Sequence, residues 1–576
     1  MDSPRAGSRS AGDRRARAAR SRRGRPARRR TPWVAVLAIG GLAVVVAGVG
    51  WLLTRPRQPE PSTSTPRVAV SMPATATPSY FTDAFIARTA SFAAEIEQSL
   101  DADGIKIPTF LGGPSRRFYG RGPVPQRLDV IWKFRLGTGK TSGTASSKGP
   151  VNWSGSGWTG QVTIVKDTGR LSLIASSYDH HLRRIDAETG EEIWSYEYPD
   201  VIKGTNTVFK NPSPTGEDDR LLVGCGSRRG LGTALGGSGV APYRVLTFGS
   251  GKEVWRLPVP RTKAYSQDAD SSGLLIDGSY YQAVESGYLY RLDPTRTEAF
   301  GQHRKPKVLA SALLFEPSDA AKHGGNLLPE GSPTVVGDRI FVASGAGHVY
   351  GLSLPDLKKV WDFKTGSDLD SSPALTKTGK LIVGIEKQYI AGKGGALMLD
   401  PEKAPKDAVV WYFPTGNRTF ADWAGGIIGS VSINDEYDPD SSRPALAAFS
   451  GIDGSVYLVS QDQMAPGTVK GFDGTTSYPT PVLAAKSYIG GAISTPIIVD
   501  DHLIACGYDA KVHVFRIRYD DPKGVKLTAR NGTQVSVGLT EVASFKAGAI
   551  ESTPVVWRGR IYIGSRDGFL YCLGER

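Results

Sequence analysis

Four tryptophans set the scale on which this chain repeats. Trp194, Trp255, Trp361 and Trp411 each sit in a short strand-like run after a turn, and they stand 61, 106 and 50 residues apart, the middle interval being two steps of 53. The clearest unit is YDHHLRRIDAETGEEIWSYE at 178–197: an alternating strand ending at Ile185-Asp186, a Thr189-Gly190 turn, then the Trp194 strand. Related stretches begin at Tyr243, Glu285, Gly345, Gly394, Gly451, Tyr508 and Arg566, which makes eight units. Ahead of most of them stands a small-polar turn with proline and an apolar strand. The alternation in VYGLSL or FLYCLG has period two, as a strand with one face on a neighbour requires. Turn pairs such as Thr189-Gly190 and Ser250-Gly251 supply the reversals. A period of roughly 50 to 60 residues, built only of strands and turns, predicts an all-β fold, an eight-bladed β-propeller with four strands to a blade.

The last unit stops at Arg576, after its third strand and with no Trp strand following. The missing piece stands upstream. LDVIWKFRLGTG at 128–139 has the Trp132 strand without the earlier part of a blade. It is expected to pair with the C-terminal strand and close the ring, which removes the open edges that invite aggregation. The propeller is therefore assigned to 128–576.

Four segments precede it. Residues 1–32 are an Arg-rich tail. Trp33 to Leu53 is an uncharged apolar run whose length matches the roughly 20 residues of a membrane-crossing helix, with Trp33 and Trp51 near its ends. The positive-inside rule puts the tail in the cytoplasm and the rest outside, so a single-pass cell-membrane protein with a periplasmic or extracellular propeller is expected. A cleaved signal peptide fits less well, because the run is long for one and no small-x-small site follows it directly. Residues 54–80, rich in Pro, Ser and Thr, form a linker. In 81–127, Phe81, Phe85, Phe92, Ile96 and Leu100 recur at helical spacing before Asp101 and Gly104, which predicts an amphipathic helix followed by an irregular strap.

The net charge of +14 would suggest nucleic acid if it were spread over a folded surface, but it is not. Residues 1–31 hold twelve arginines against two aspartates, leaving +4 for everything else. Nucleic-acid binding by the propeller is not expected. Cys225, Cys506 and Cys572 lie far apart inside apolar runs, so buried free thiols are expected rather than a disulfide framework.

Aligning the starts of the innermost strands brings Asp270-Ser271-Ser272-Gly273, Glu330-Gly331-Ser332-Pro333, Asp370-Ser371-Ser372-Pro373, Ile493-Ser494-Thr495-Pro496 and Glu551-Ser552-Thr553-Pro554 to equivalent positions, with Trp158 and Lys203 equivalent in the first two blades. These residues should ring one channel mouth. Asp270, Glu330, Asp370 and Glu551 facing one another would hold a hard cation or a basic peptide side chain; otherwise they form a solvated charged rim. Three other motifs read as structure. GTGKTSG at 137–143 has Phe134 where a phosphate loop needs glycine and is a turn after a strand. Tyr178-Asp179-His180-His181 is a structural turn, since adjacent strand residues point to opposite faces. Asp435, Glu436, Asp438 and Asp440 lack the spaced calcium loop and are expected to be a solvated insertion. No GxSxG or HExxH motif occurs.

The IDAETGEEIW core resembles the Leu-Asp-x-x-Thr-Gly-x-x-x-Trp repeat of the pyrroloquinoline quinone (PQQ)-like propellers, over about 128–576. That resemblance implies one of two uses. The PQQ-dependent dehydrogenases of the family have an adjacent cysteine pair beside the quinone, a calcium held by acidic and amide side chains, and a catalytic aspartate. The BamB-like branch is a cofactor-free, protein-binding scaffold. Asp422-Trp423 in TFADWAGG resembles a quinone-flanking Trp segment, but no Cys-Cys pair exists here. The expectation is a scaffold in the cell envelope with an envelope protein as partner, with no catalytic residue, metal or cofactor assigned. PQQ with calcium is the enzymatic alternative, and a ligand or cation sensor at the acidic mouth is the third.

Overall fold

The computed structural model describes residues 102–142, 149–237, 239–420 and 423–576. The Arg-rich tail, the apolar run 33–53, the linker, the stretch 81–100 expected as a helix and Asp422 lie outside the described residues. Among the described residues no helix is long and apolar enough to cross a membrane.

Among the described residues eight blades follow one another, each a sheet with four antiparallel strands, to which blades 1, 7 and 8 add a fifth strand. Blade 1 comprises Thr163–Asp167, Arg170–Ser176, His181–Asp186 and Glu192–Glu197, and blade 2 comprises Thr207–Lys210, Leu221–Gly226, Tyr243–Thr247 and Glu253–Leu257. Blades 3 to 7 start with the inner strands Leu274–Ile276, Thr334–Val336, Ala374–Leu375, Ser432–Ile433 and Ile497–Val499. Blade 8 takes three strands from the C-terminus, Val555–Trp557, Arg560–Gly564 and Phe569–Gly574, and its outer strand Asp129–Arg135 from the other end of the domain. Trp132 stands opposite Cys572 in that antiparallel pair, so the ring closes as the broken repeat predicted.

The Trp-Gly spacing has a direct physical cause. Each repeat tryptophan lies on the turn of the following blade and donates its indole Nε1–H to a carbonyl there: Trp132 to Ala187, Trp194 to Phe248, Trp255 to Pro294, Trp361 to Lys403 and Trp411 to Gln461, all at 2.8–3.2 Å. Gly190 and Gly251 are where the rings of Trp132 and Trp194 land; a Cβ at either would sit 2.7–2.8 Å from the ring. Both glycines also have positive φ, 78° and 71°. Asp186 holds the first of these turns by accepting from the amides of Glu188 and Thr189. Apolar side chains fill the seams between blades. Val165, Ile174 and Trp194 of blade 1 pack with Val208, Val223 and Cys225 of blade 2, and Ile164 and Leu173 of blade 1 pack with Val555 and Leu570 of blade 8. All three cysteines are buried and free.

The strap is more than a connection. Ile105–Ile107 pairs with the inner strand of blade 1, and Gly120–Arg121 pairs in parallel with that of blade 8. Between them the strap satisfies the inner edges of other blades: Val208 N donates to Pro108 O, Val335 N to Pro114 O, Leu375 N to Ser115 O and Ile433 N to the Tyr119 hydroxyl, at 2.7–3.0 Å. Arg116, fully buried, donates to the carbonyls of Phe110 and Pro333 at 2.7 and 2.9 Å and to that of Ser272 at 3.3 Å. Unpaired backbone groups at a sheet edge demand such partners once they are shielded from water.

Two expectations change. Thr138–Thr141 of the GTGKTSG stretch is a strand, paired with Val151–Ser154, rather than a turn. The NDEYDPDSS insertion is solvated only in part: Asp435 and Asp438 are buried and both pair with Arg530 at 2.6 Å, while Glu436 holds Arg117 of the strap at 2.6 Å. The spacing of the acids gave no sign of those distant arginines.

Candidate functional site

Five hydroxyl residues near the starts of inner strands have a job visible in the structure. Ser332 Oγ accepts from Ser272 N, Ser372 Oγ from Ser332 N, Ser430 Oγ from Ser372 N, Thr495 Oγ1 from Ser430 N, and Thr205 Oγ1 from Gln161 N, all at 2.7–2.9 Å. Blade is thus tied to blade around the channel. Two residues earlier in each strand the chain reaches the mouth, and there the candidate residues stand.

Lys203, Asp270, Glu330, Asp370 and Trp158 do come together. The Lys203 ammonium contacts Asp270 and lies 3.6 Å from Glu285 Oε1 and 5.1 Å from the centre of the Trp158 ring. Trp158 Nε1 donates to Glu330 Oε2 at 2.7 Å. A cavity of about 20 Å³ lies among Trp158, Asp270, Glu330 and Asp370, with Phe110 of the strap beneath it. That is room for a water molecule or a small ion. Trp423 lies beside Trp158, ring centres 5.9 Å apart and planes tilted by 40°, so the acidic side of the mouth in blades 3 to 5 faces an aromatic side.

Glu551 does not join the other acids. Its carboxylate accepts from Arg566 at 2.5 Å, Tyr508 at 2.6 Å and Tyr178 at 3.2 Å, a satisfied set of its own. The expected ring of four carboxylates is therefore three, and the rim is buried rather than solvated. Asp270 is only 7 % exposed and Glu285, a further member, 2 %.

Four acids missing from the expected set complete the cluster. Oxygens of Asp270, Glu285 and Glu330 lie within 4.8 Å of one another, as do those of Asp368, Asp370 and Glu386. Asp268 is held by Arg228 at 2.9 Å. The sequence does carry a signal for them: Asp-x-Asp-Ser-Ser occurs at 268–272 and again at 368–372, and Glu285 and Glu386 each directly follow the second strand of the same blade.

Burial dominates the electrostatics. It pushes Glu330 up to about 7, with Glu285 adding to the rise and Lys203 opposing it. Asp270, Glu285, Asp368, Asp370 and Glu386 are also raised, first by burial and then by neighbouring carboxylates. Asp268 goes the other way despite burial, because Arg228 and Lys203 hold its carboxylate ionised. Lys203 stays charged against the cost of burial because Asp270 and Glu285 face it. Asp368 Oδ1 is buried with no hydrogen-bond partner among the described residues. Such a group retains protons until another cation arrives. Either carboxylate trio could ligate a hard cation through oxygen, and the whole mouth could take an ammonium or guanidinium group.

No protein-family profile and no curated protein matches the chain. Among solved structures, BamB from Moraxella catarrhalis is similar with a TM-score of 0.44 and 12% identity, over 78% of this chain and 98% of that one. The quinohemoprotein alcohol dehydrogenase from Comamonas testosteroni is similar with a TM-score of 0.49 and 13% identity, over 86% and 85%. The quinohemoprotein alcohol dehydrogenase ADHIIG from Pseudomonas putida HK5 is similar with a TM-score of 0.48 and 10% identity, over 84% and 81%. These are likenesses of fold; the eight-bladed propeller of this chain rests on its own strand pairing.

Proposed function

We propose that the chain is a non-catalytic binding propeller of the cell envelope, anchored by residues 33–53 with the propeller outside the membrane, and that its mouth takes a cationic group of a protein partner. The observation that carries this reading is the charge imbalance: six buried or half-buried carboxyl groups with raised proton affinity share one mouth with Lys203. A second cation entering there exchanges for protons, and it does so against the aromatic faces of Trp158 and Trp423, which favour an organic cation. The same imbalance supports a second reading in which a hard divalent cation, with or without PQQ, fills one carboxylate trio.

Calorimetric titration of the full chain separates these. The probe is a lysine-bearing hexapeptide, with its ε-acetylated counterpart as control. Saturable binding of the charged peptide alone, at least tenfold weaker at pH 5 than at pH 8, supports the proposal. Saturable binding of PQQ with calcium, accompanied by dye-linked alcohol oxidation, would replace it with the dehydrogenase reading.

A further inference from the structure

In Lys203 the mouth shows how it holds an ammonium. The Lys203 Nζ contacts Asp270, lies 3.6 Å from Glu285 Oε1 and stands 5.1 Å from the centre of the Trp158 ring. Carboxylates on one side and an indole face on the other replace the water that a compact cation gives up on burial. The cavity of about 20 Å³ repeats that environment: Asp270, Glu330 and Asp370 border it together with Trp158, next to Gly204 and Thr205. Asp270 Oδ1 is buried with no hydrogen-bond partner among the described residues. Glu330 and Asp370 are partly exposed, so the space is reached from solvent.

Size selects among cations here. One water-sized group needs about 10–15 Å³ of such space. An ammonium brings a single heavy atom with three N–H donors, one for each of the three carboxyl groups. A guanidinium brings a rigid plane of four heavy atoms, and a trimethylated amine is bulkier still and donates nothing. Beyond the carboxyls the wall turns apolar: Trp158 and Trp423 stand on the buried side chains of Ile428, Ile452 and Ile493. A stem of four methylenes laid on those rings leaves water while its charged tip reaches the acids. A bare metal ion gains nothing from that wall. The Trp158 ring is preset for this, since Trp158 and Thr159 both have positive φ, 49° and 61°, and the indole Nε1–H is held by Glu330 at 2.7 Å. We propose that the mouth takes the terminal ammonium of a lysine side chain of the partner and rejects arginine. This rests on the reading of the mouth as a cation site and narrows it to one chemical group.

Calorimetric titration of the full chain at pH 8 in EDTA tests this, with three hexapeptides blocked at both ends that differ only in carrying lysine, arginine or trimethyl-lysine. The lysine peptide should bind at least tenfold more tightly than either of the others. Asp370→Asn removes one of the three carboxylates and should weaken the lysine peptide at least tenfold without lowering Tm. A preference over arginine or trimethyl-lysine of less than tenfold would overturn the inference while leaving a cation-binding mouth. Binding of none of the three would remove that mouth as well. A lysine preference that Asp370→Asn leaves intact would place the ammonium elsewhere and overturn the inference too. So would tighter binding of 1,4-diaminobutane than of the lysine peptide, which would assign the site to a free amine. If Asp370→Asn fails to fold, Glu330→Gln, read in the same way, decides in its place.

Discussion

Replacing Glu330 by glutamine should stabilise the propeller, and only at neutral and alkaline pH. In the folded state this carboxyl is raised from 4.5 to about 7 by burial and by Glu285, against the attraction of Lys203. The sign follows from linkage: a carboxyl with a raised folded pKa contributes fully below its unfolded pKa, and that contribution is lost as the pH rises through about 7. A tenfold change in proton affinity is worth about 1.36 kcal/mol, so at pH 8 an ionised Glu330 costs up to about 3 kcal/mol relative to a neutral group. Glutamine retains an oxygen for the Trp158 indole and never ionises. Unfolding entropy of about 2.1 cal/mol/K per residue over roughly 475 folded residues gives ~1 kcal/mol/K, so the gain in Tm should be about 3 °C. Differential scanning calorimetry of Glu330→Gln and wild type in EDTA should show this rise at pH 8 and none at pH 4.5. A loss of stability at pH 8, or an equal change at both pH values, would refute the picture of an over-charged mouth.

Lys203→Met removes the cation that faces Asp270 and Glu285. It should cost about 3–5 kcal/mol at pH 8, read from the same calorimetry, and the loss should shrink towards pH 4.5, as the raised Asp270 and Glu285 carboxyls take up protons. Arg116→Met strips the carbonyls of Phe110, Pro333 and Ser272 of a shared charged donor, and a loss of about 3 kcal/mol or more should appear together with faster hydrogen exchange across 105–124. Burial pushes the Cys225 and Cys572 thiols up to about 12 and raises Cys506 as well. All three should ignore an aromatic disulfide reagent in the native protein and react fully in denaturant, by absorbance of the released thiolate.

The blade count and the closing strand were legible because the contact that defines them is encoded locally. Trp194 must fall where Gly251 leaves space, and Trp132 where Gly190 does, so the spacing of the motif is the geometry of the seam. The strap was not legible, because it bonds through backbone groups to one blade after another and has no period to detect. At the mouth, the first residue of each inner strand could be aligned, but its chemistry depends on a partner about fifteen residues later at the end of the second strand. For Asp270 that partner is Glu285, which deepens the charge; for Glu551 it is Arg566, which cancels it. Gly345 occupies that place in blade 4, where a Cβ would meet Asp368 Oδ1 at 2.8 Å. Pairing first-strand and second-strand positions, rather than reading the first alone, would have separated Glu551 from the rest.

The strap also bears on how such a ring is assembled. It meets the blades in nearly the order in which the chain supplies them: Ile105 and Ile107 meet blade 1, Pro108 blade 2, Pro114 blade 4, Ser115 blade 5, Tyr119 blade 6 and Gly120 blade 8. A chain that emerges from its N-terminus first therefore carries its own mandrel, and six of the eight blades find a waiting edge on which to dock as they are made. The outer strand of blade 8, held back at Asp129–Arg135 until Phe569–Gly574 arrives, acts as the clasp that is fastened last.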